Sequence, residues 1–335
     1  MKRSLLLVVS ALVLSACPAL AKTFYVGRCH AGGFPSISAA VESVPEGSIV
    51  DVCPGTYAEQ IIISKSLTLQ GITSNNESEV EICCNANPEI DAETQVLGLD
   101  LVPAIWVTAG TVNISNVLVD NELGGSKGCP QLATGIFYGS GTSGTMNHVA
   151  VSVKAENCGV GIAAENGTID DSSIKIENSY ITSDNFGILM GSQQPDGIIP
   201  VLLNTISGNT IVSAMHGILL LQSRGKVSGN NITVSGDGLS NYGILEAAPA
   251  TTITDNVISG LGTGVMIDGA SATVTGNKIS EGVGIDLGCT AETVTNNTIM
   301  AYTLVGIGLN HVPANFTGKN TIVNTSTLIN QICPK

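Results

Sequence analysis

Gly243-Ile244-Leu245 followed by Asn256-Val257-Ile258, Gly264-Val265-Met266 followed by Asn277-Lys278-Ile279, and Gly284-Ile285-Asp286 followed by Asn297-Thr298-Ile299 state one phrase three times over. Working outward, the Gly half recurs at Gly135, Gly161, Gly187, Gly217 and Gly306, and the Asn half at Asn147, Asn178, Asn209, Asn230 and Asn320. Successive Gly landmarks lie 26, 26, 30, 26, 21, 20 and 22 residues apart, the period of one supersecondary unit per repeat. Each unit holds short apolar runs of period two, such as Val265 and Ile267, between clusters of Gly, Asn, Ser and Thr. That is the pattern of strands and turns. No run carries a helical period over enough residues to compete. Coils this short force strands one turn apart to lie parallel and stacked about 4.8 Å from each other, so the expected fold is an all-β, right-handed parallel β-helix. The Asn row reads as architecture: Asn tolerates the left-handed backbone of a sharp corner, and its amide can bond the Asn of the next coil.

The ends of the chain set its compartment. Lys2 and Arg3, an apolar run from Leu5 to Leu14 and Ala19-Leu20-Ala21 predict a secretory signal over residues 1–21. Leu14-Ser15-Ala16-Cys17 offers a second route, in which Cys17 becomes a lipid anchor. Either way the chain is expected outside the cytoplasm, secreted, periplasmic or on the outer surface. Residues 22–335 are expected to form one domain, with a capping helix within 34–44, irregular loop-bearing coils over 73–130 and regular repeats over 131–322. The formal charge of the whole chain is -14; loss of residues 1–21 leaves 11 basic against 27 acidic side chains. With no basic run and no interleaving of basic and aromatic residues, nucleic acid is excluded as a partner. Polyanionic sugars are repelled unless a cation such as Ca²⁺ intervenes. Eight Cys follow Cys17, an even count that suits disulfides in an exported chain, and no Cys-x-x-Cys or nearby His favours zinc. Cys29 and Cys53 end two strands that would stack, which predicts a bridge between them.

From Phe34 the sequence changes character. Ile37, Ala40, Val41 and Val44 recur at a helical spacing, Ser36 can cap, and Pro45 with Gly47 stops the run, so a short amphipathic helix is expected to close the open end of the solenoid. Ser36-Ile37-Ser38-Ala39-Ala40-Val41, Pro54-Gly55-Thr56-Tyr57-Ala58-Glu59 and Leu67-Thr68-Leu69-Gln70-Gly71 resemble the opening of pectinesterases and of the wider β-helix group with a pectin-lyase-like fold. The resemblance covers about 50 residues and implies the fold. It does not bring the chemistry: the Asp and Arg motifs of pectinesterases are missing, as are the motifs of polygalacturonases and pectate lyases.

Candidate sites are therefore taken from strand parity. The third residue after each Gly faces inward, which would place Glu246 in the core, where it needs a turn donor or a raised pKa, unless the strand ends one residue early and turns it outward. The second faces outward, yet Phe137, Ala163, Leu189, Leu219, Leu245 and Met266 make an apolar stripe before Asp286 and Gly308 restore polarity. Such a stripe is either covered by the chain's own loops or offered to a partner or a second copy. Outward carboxylates Glu165, Asp268 and Asp286, and the local pair Asp170-Asp171, are the candidate acids for glycoside chemistry, which needs two carboxyl groups about 5 to 9.5 Å apart. Asp100, Asp120 and Glu122, on the irregular coils, are candidate Ca²⁺ ligands. His216 aligns with Phe186 and Tyr242 and is expected in a ring stack rather than as a base. The functional expectation is an exported carbohydrate-associated or surface-interaction protein without a recognisable catalytic motif, partnered by a polysaccharide or a cell-surface protein. Its rival is a divergent lyase, hydrolase or esterase using outward carboxylates.

Overall fold

The computed structural model describes residues 21–74, 77–83, 95–96, 98–122, 131–165, 173–191, 204–236, 238, 240–247, 250–268, 272–280, 282–287, 293–300, 305–309, 319–323 and 327–331. Three parallel sheets run the length of a right-handed β-helix with a pectin-lyase-like fold. Each coil visits sheet 1, sheet 2 and sheet 3 in that order. Sheet 1 extends from Thr23–Val26 to Thr293–Thr295, sheet 2 from Gly55–Tyr57 to Thr321–Val323, and sheet 3 from Ile61–Ile63 to Thr327–Gln331. Strands one coil apart pair in parallel; the antiparallel exceptions are two short contacts, Gln95–Val96 on Leu99–Asp100 and Thr73–Ser74 on Glu77–Ser78. Inward residues stack in columns, such as Ile206, Val227, Ile253 and Val274 from sheet 1 and Ile211, Ile232, Ile258 and Ile279 from sheet 2, all buried.

The landmark Gly has a steric cause. A Cβ built on Gly217 would collide with Cγ2 of Ile232 in sheet 2 and with the Gly243 carbonyl; Gly161, Gly187 and Gly243 meet the equivalent atoms. Sheets 2 and 3 close at an angle too sharp for any side chain there.

The Asn phrase does two jobs with two residues, where the sequence suggested one. The left-handed backbone belongs to the residue before the ladder: Asn178 (φ 50°), Gly208 (67°), Gly229 (64°), Asp255 (55°), Gly276 (70°) and Asn296 (58°). The ladder itself is Ser179, Asn209, Asn230, Asn256, Asn277, Asn297 and Asn320, so Asn147 and Asn178 stand outside it. Each interior Asn donates through Nδ2 to the next Oδ1 and to a carbonyl of a preceding sheet 1 strand, while its Oδ1 accepts the previous backbone N–H. A buried corner thus has its polar groups paired along the axis.

The helix Ile37–Ser43 lies over the first coil with Ile37, Ala40 and Val41 buried. The Ser36 hydroxyl accepts from Ala39 N at 3.1 Å, and the Glu59 carboxylate accepts from Ile37 N at 2.8 Å and Ser38 N at 2.9 Å. At the other end the Lys65 ammonium donates to the Glu42 and Val44 carbonyls. An anion at the N-terminus and a cation at the C-terminus, both from the coil beneath, match the helix dipole. The expected bridge between Cys29 and Cys53 is present, with Cα atoms 5.7 Å apart. Cys83 and Cys158 are each in a disulfide as well, though not with one another.

Candidate functional site

The outward row of sheet 3 is in continuous register: Trp106, Phe137, Ala163, Leu189, Leu219, Leu245, Met266 and Asp286. Its first part is a second core, with Phe137, Ala163 and Leu189 at 0% exposure and Leu219 at 6%. The strand Gln95–Val96 lies against Gly159–Glu165 there, one element of the cover. From Leu245 through Met266 to Asp286 the row is half-buried.

The candidate carboxylates sit around that half-open stretch. Asp286 lies in the strand Val283–Leu287 with Met266 as its register partner, and burial raises its pKa, partly offset by a hydrogen bond from the Leu287 backbone. Asp268 follows the strand Thr263–Ile267, is exposed, and still donates its backbone N–H to Glu246 O at 2.7 Å. The two are not opposite one another. Asp268 lies two residues beyond the partner of Asp286, a diagonal that strand geometry puts at about 8 Å between Cα atoms. Glu165, further up the face, is also raised in pKa by burial. Asp170 and Asp171 lie outside the described residues, as does Cys17.

Glu246 is fully buried, in register between Leu220 and Ile267. His216 stacks between Phe186 and Tyr242, with centroid distances of 5.2 Å on both sides. Burial pushes its pKa down to about 4 against a smaller opposing contribution from the Met215 backbone, and Nδ1 is buried with no hydrogen-bond partner.

The candidate Ca²⁺ ligands stand on separate elements. Asp100 begins a sheet 3 strand, Asp120 lies in sheet 2 opposite Cys83 and Ser152, and Glu122 pairs with Lys154 at 3.2 Å. Among the described residues no three His, Cys, Asp or Glu side chains are placed to hold a metal. A carboxylate missed by the sequence reading is Asp184, which accepts Ala155 N, Asn157 N and Gly159 N at 2.6 to 2.9 Å and fastens one turn to the next coil.

Comparison with known proteins adds a partial family match. The family model described as periplasmic copper-binding protein (NosD) matches residues 204–330. The described residues do not fit copper: beyond the lack of a His, Cys and carboxylate group, Met146 and Met190 are buried in the core, and Met215 and Met266 lie two coils apart. Among curated proteins none matches by sequence. Solved structures with a similar course include a pectin methylesterase from Erwinia chrysanthemi (11% identity, TM-score 0.47, 71% of this chain and 80% of that one). A second is a DFA-IIIase from Arthrobacter chlorophenolicus, in complex with DFA-III (14%, 0.44, 90% and 84%). A third is a lacto-N-biosidase from Eubacterium ramulus (12%, 0.43, 93% and 68%). Likenesses this distant carry no argument about activity.

Proposed function

We propose that this chain is an exported binding protein of the cell envelope, which lays a carbohydrate polymer along the half-open stretch of sheet 3. The observation that carries the reading is the outward row itself. Apolar side chains that are covered as far as Leu219 emerge at Leu245 and Met266 beside the half-buried Asp286. A half-buried row that sets a carboxylate among apolar side chains has the mixture of apolar surface and few polar groups found at ligand sites. The signal-like N-terminus, the disulfides and the partial match to a family described as periplasmic support export. The purified mature chain, screened against a glycan panel with binding and product release scored together, should bind a subset of the glycans; no binding across the panel would reject the reading.

A second reading, glycoside hydrolysis, is favoured by one observation. Asp268 and Asp286 are diagonal neighbours on adjacent coils in unlike surroundings, one exposed and one half-buried, as the two carboxyl groups of an acid and base pair are. It predicts new reducing ends from a bound glycan, lost in both Asp268→Asn and Asp286→Asn. Binding without product release leaves the first reading alone.

A further inference from the structure

Sheet 3 differs from its neighbours in charge. None of its twelve strands contains a Lys or Arg, although Lys175 and Lys226 face outward from sheet 1 and Lys278 from sheet 2. Among the described residues, the charges on its outward side in the open coils are Asp268 and Asp286, both acidic, and Glu165 adds a third acid three coils nearer the N-terminus. Asp286 is half-buried with Met266 as its register partner, and burial there disfavours the ionised form. A partly desolvated carboxylate gains more from a cation than one in free water, because the local screening is weaker. From this segregation we infer that the polymer taken by the sheet 3 face is amine-bearing, an amino-sugar chain with free ammonium groups.

The inference rests on the carbohydrate-binding reading and names the chemistry of its ligand. Ammonium groups would meet Asp268 and Asp286, and the C–H surfaces of the sugar rings would lie on Leu245 and Met266. A basic peptide offers the same charge but suits the face less well. The strands here already exchange their backbone hydrogen bonds with the coils on either side, so an added strand has no edge to pair with. Long Lys and Arg side chains would also lose rotamer freedom that an ammonium on a rigid ring does not have.

Calorimetric titration of the mature chain with glucosamine oligomers, N-acetylglucosamine oligomers and a Lys-rich peptide tests this at low and high salt. The expected result is binding of glucosamine oligomers that weakens with salt and falls at least about fivefold in the double variant Asp268→Asn with Asp286→Asn. Lys226→Gln, on another sheet, should leave it unchanged. Equal binding of the acetylated oligomers, insensitive to salt and to the double variant, overturns the amine while leaving a glycan surface standing. Binding of the peptide alone assigns the face to a protein partner and overturns the inference. If a full glycan panel also gives no binding, both the inference and the reading beneath it are overturned.

Discussion

Truncating one rung of the amide ladder should loosen the solenoid at a defined coil. Asn256 is fully buried, and its side chain makes four hydrogen bonds. Nδ2 donates to Val227 O at 3.0 Å and to Asn277 Oδ1 at 2.9 Å, while Oδ1 accepts Asn230 N at 3.0 Å and Asn230 Nδ2 at 2.9 Å. In Asn256→Ala the Asn230 backbone N–H loses its partner in a site closed to water, a cost of about 1 to 3 kcal/mol. The other three bonds go as well, but Asn230 Nδ2 keeps Ile206 O and Asn277 Oδ1 keeps the Asn256 backbone N–H. At about 0.5 to 1.5 kcal/mol each, the total comes to roughly 2.5 to 7.5 kcal/mol. Because each coil contacts mainly its neighbours, the loss falls on the coils around residue 256 rather than on the whole molecule. The lone Trp106 sits far up the solenoid in the strand Leu99–Val107, so its fluorescence follows the N-terminal coils while far-ultraviolet circular dichroism follows all of them. Urea titration should therefore move the dichroism midpoint well below the fluorescence midpoint. Asn231→Ala, at an exposed neighbouring position, should stay within about 0.5 kcal/mol of the parent. An Asn256→Ala protein as stable as Asn231→Ala by both probes would refute the ladder as a source of stability.

Three further outcomes are expected. Gly217→Ala should cost about 1 to 3 kcal/mol in urea titration, since its Cβ would meet Ile232 and the Gly243 carbonyl, whereas Gly229→Asn, in a left-handed turn with open space around it, should be nearly neutral. Glu59→Ala should cost about 1 to 2 kcal/mol by removing the acceptor of Ile37 N and Ser38 N, read as earlier loss of the N-terminal coils by Trp106 fluorescence. His216 resists protonation in the folded chain, so stability should be full above pH 6.5 and fall as the pH drops from 6.5 to about 4, by on the order of 2 to 3 kcal/mol. His216→Phe keeps a ring between Phe186 and Tyr242 and should remove that portion of the pH dependence, measured as unfolding midpoints across the range.

Strand parity carried the sequence reading a long way. It gave the inward place of Glu246, the stack around His216 and the outward row of sheet 3, because side chains alternate without regard to what precedes the strand. Local chemistry gave the Ser36 cap, and the alignment of two strand ends gave the Cys29–Cys53 bridge. What escaped were relations between coils. That Glu59 holds the helix N-terminus, that Asp184 fastens a turn on the preceding coil and that the landmark Gly makes room for an Ile of sheet 2 all depend on residues more than twenty positions apart or on the angle between sheets. The same holds for the candidate Ca²⁺ ligands: Asp120 and Glu122 are close in sequence, and coil geometry sets Glu122 beside Lys154. The diagonal offset of Asp268 from Asp286, by contrast, follows from the sequence, since they stand four and two residues after Gly264 and Gly284.

The central claim, that the half-open stretch of sheet 3 is the binding surface, is tested most directly by placing cations on it. Leu245→Arg with Met266→Arg changes two half-buried outward positions and leaves the inward columns alone. On a glycan panel, with far-ultraviolet circular dichroism confirming the fold, the parent chain should bind and the double variant should lose that binding. A folded double variant that retains the same ligands at the same affinities would contradict the account.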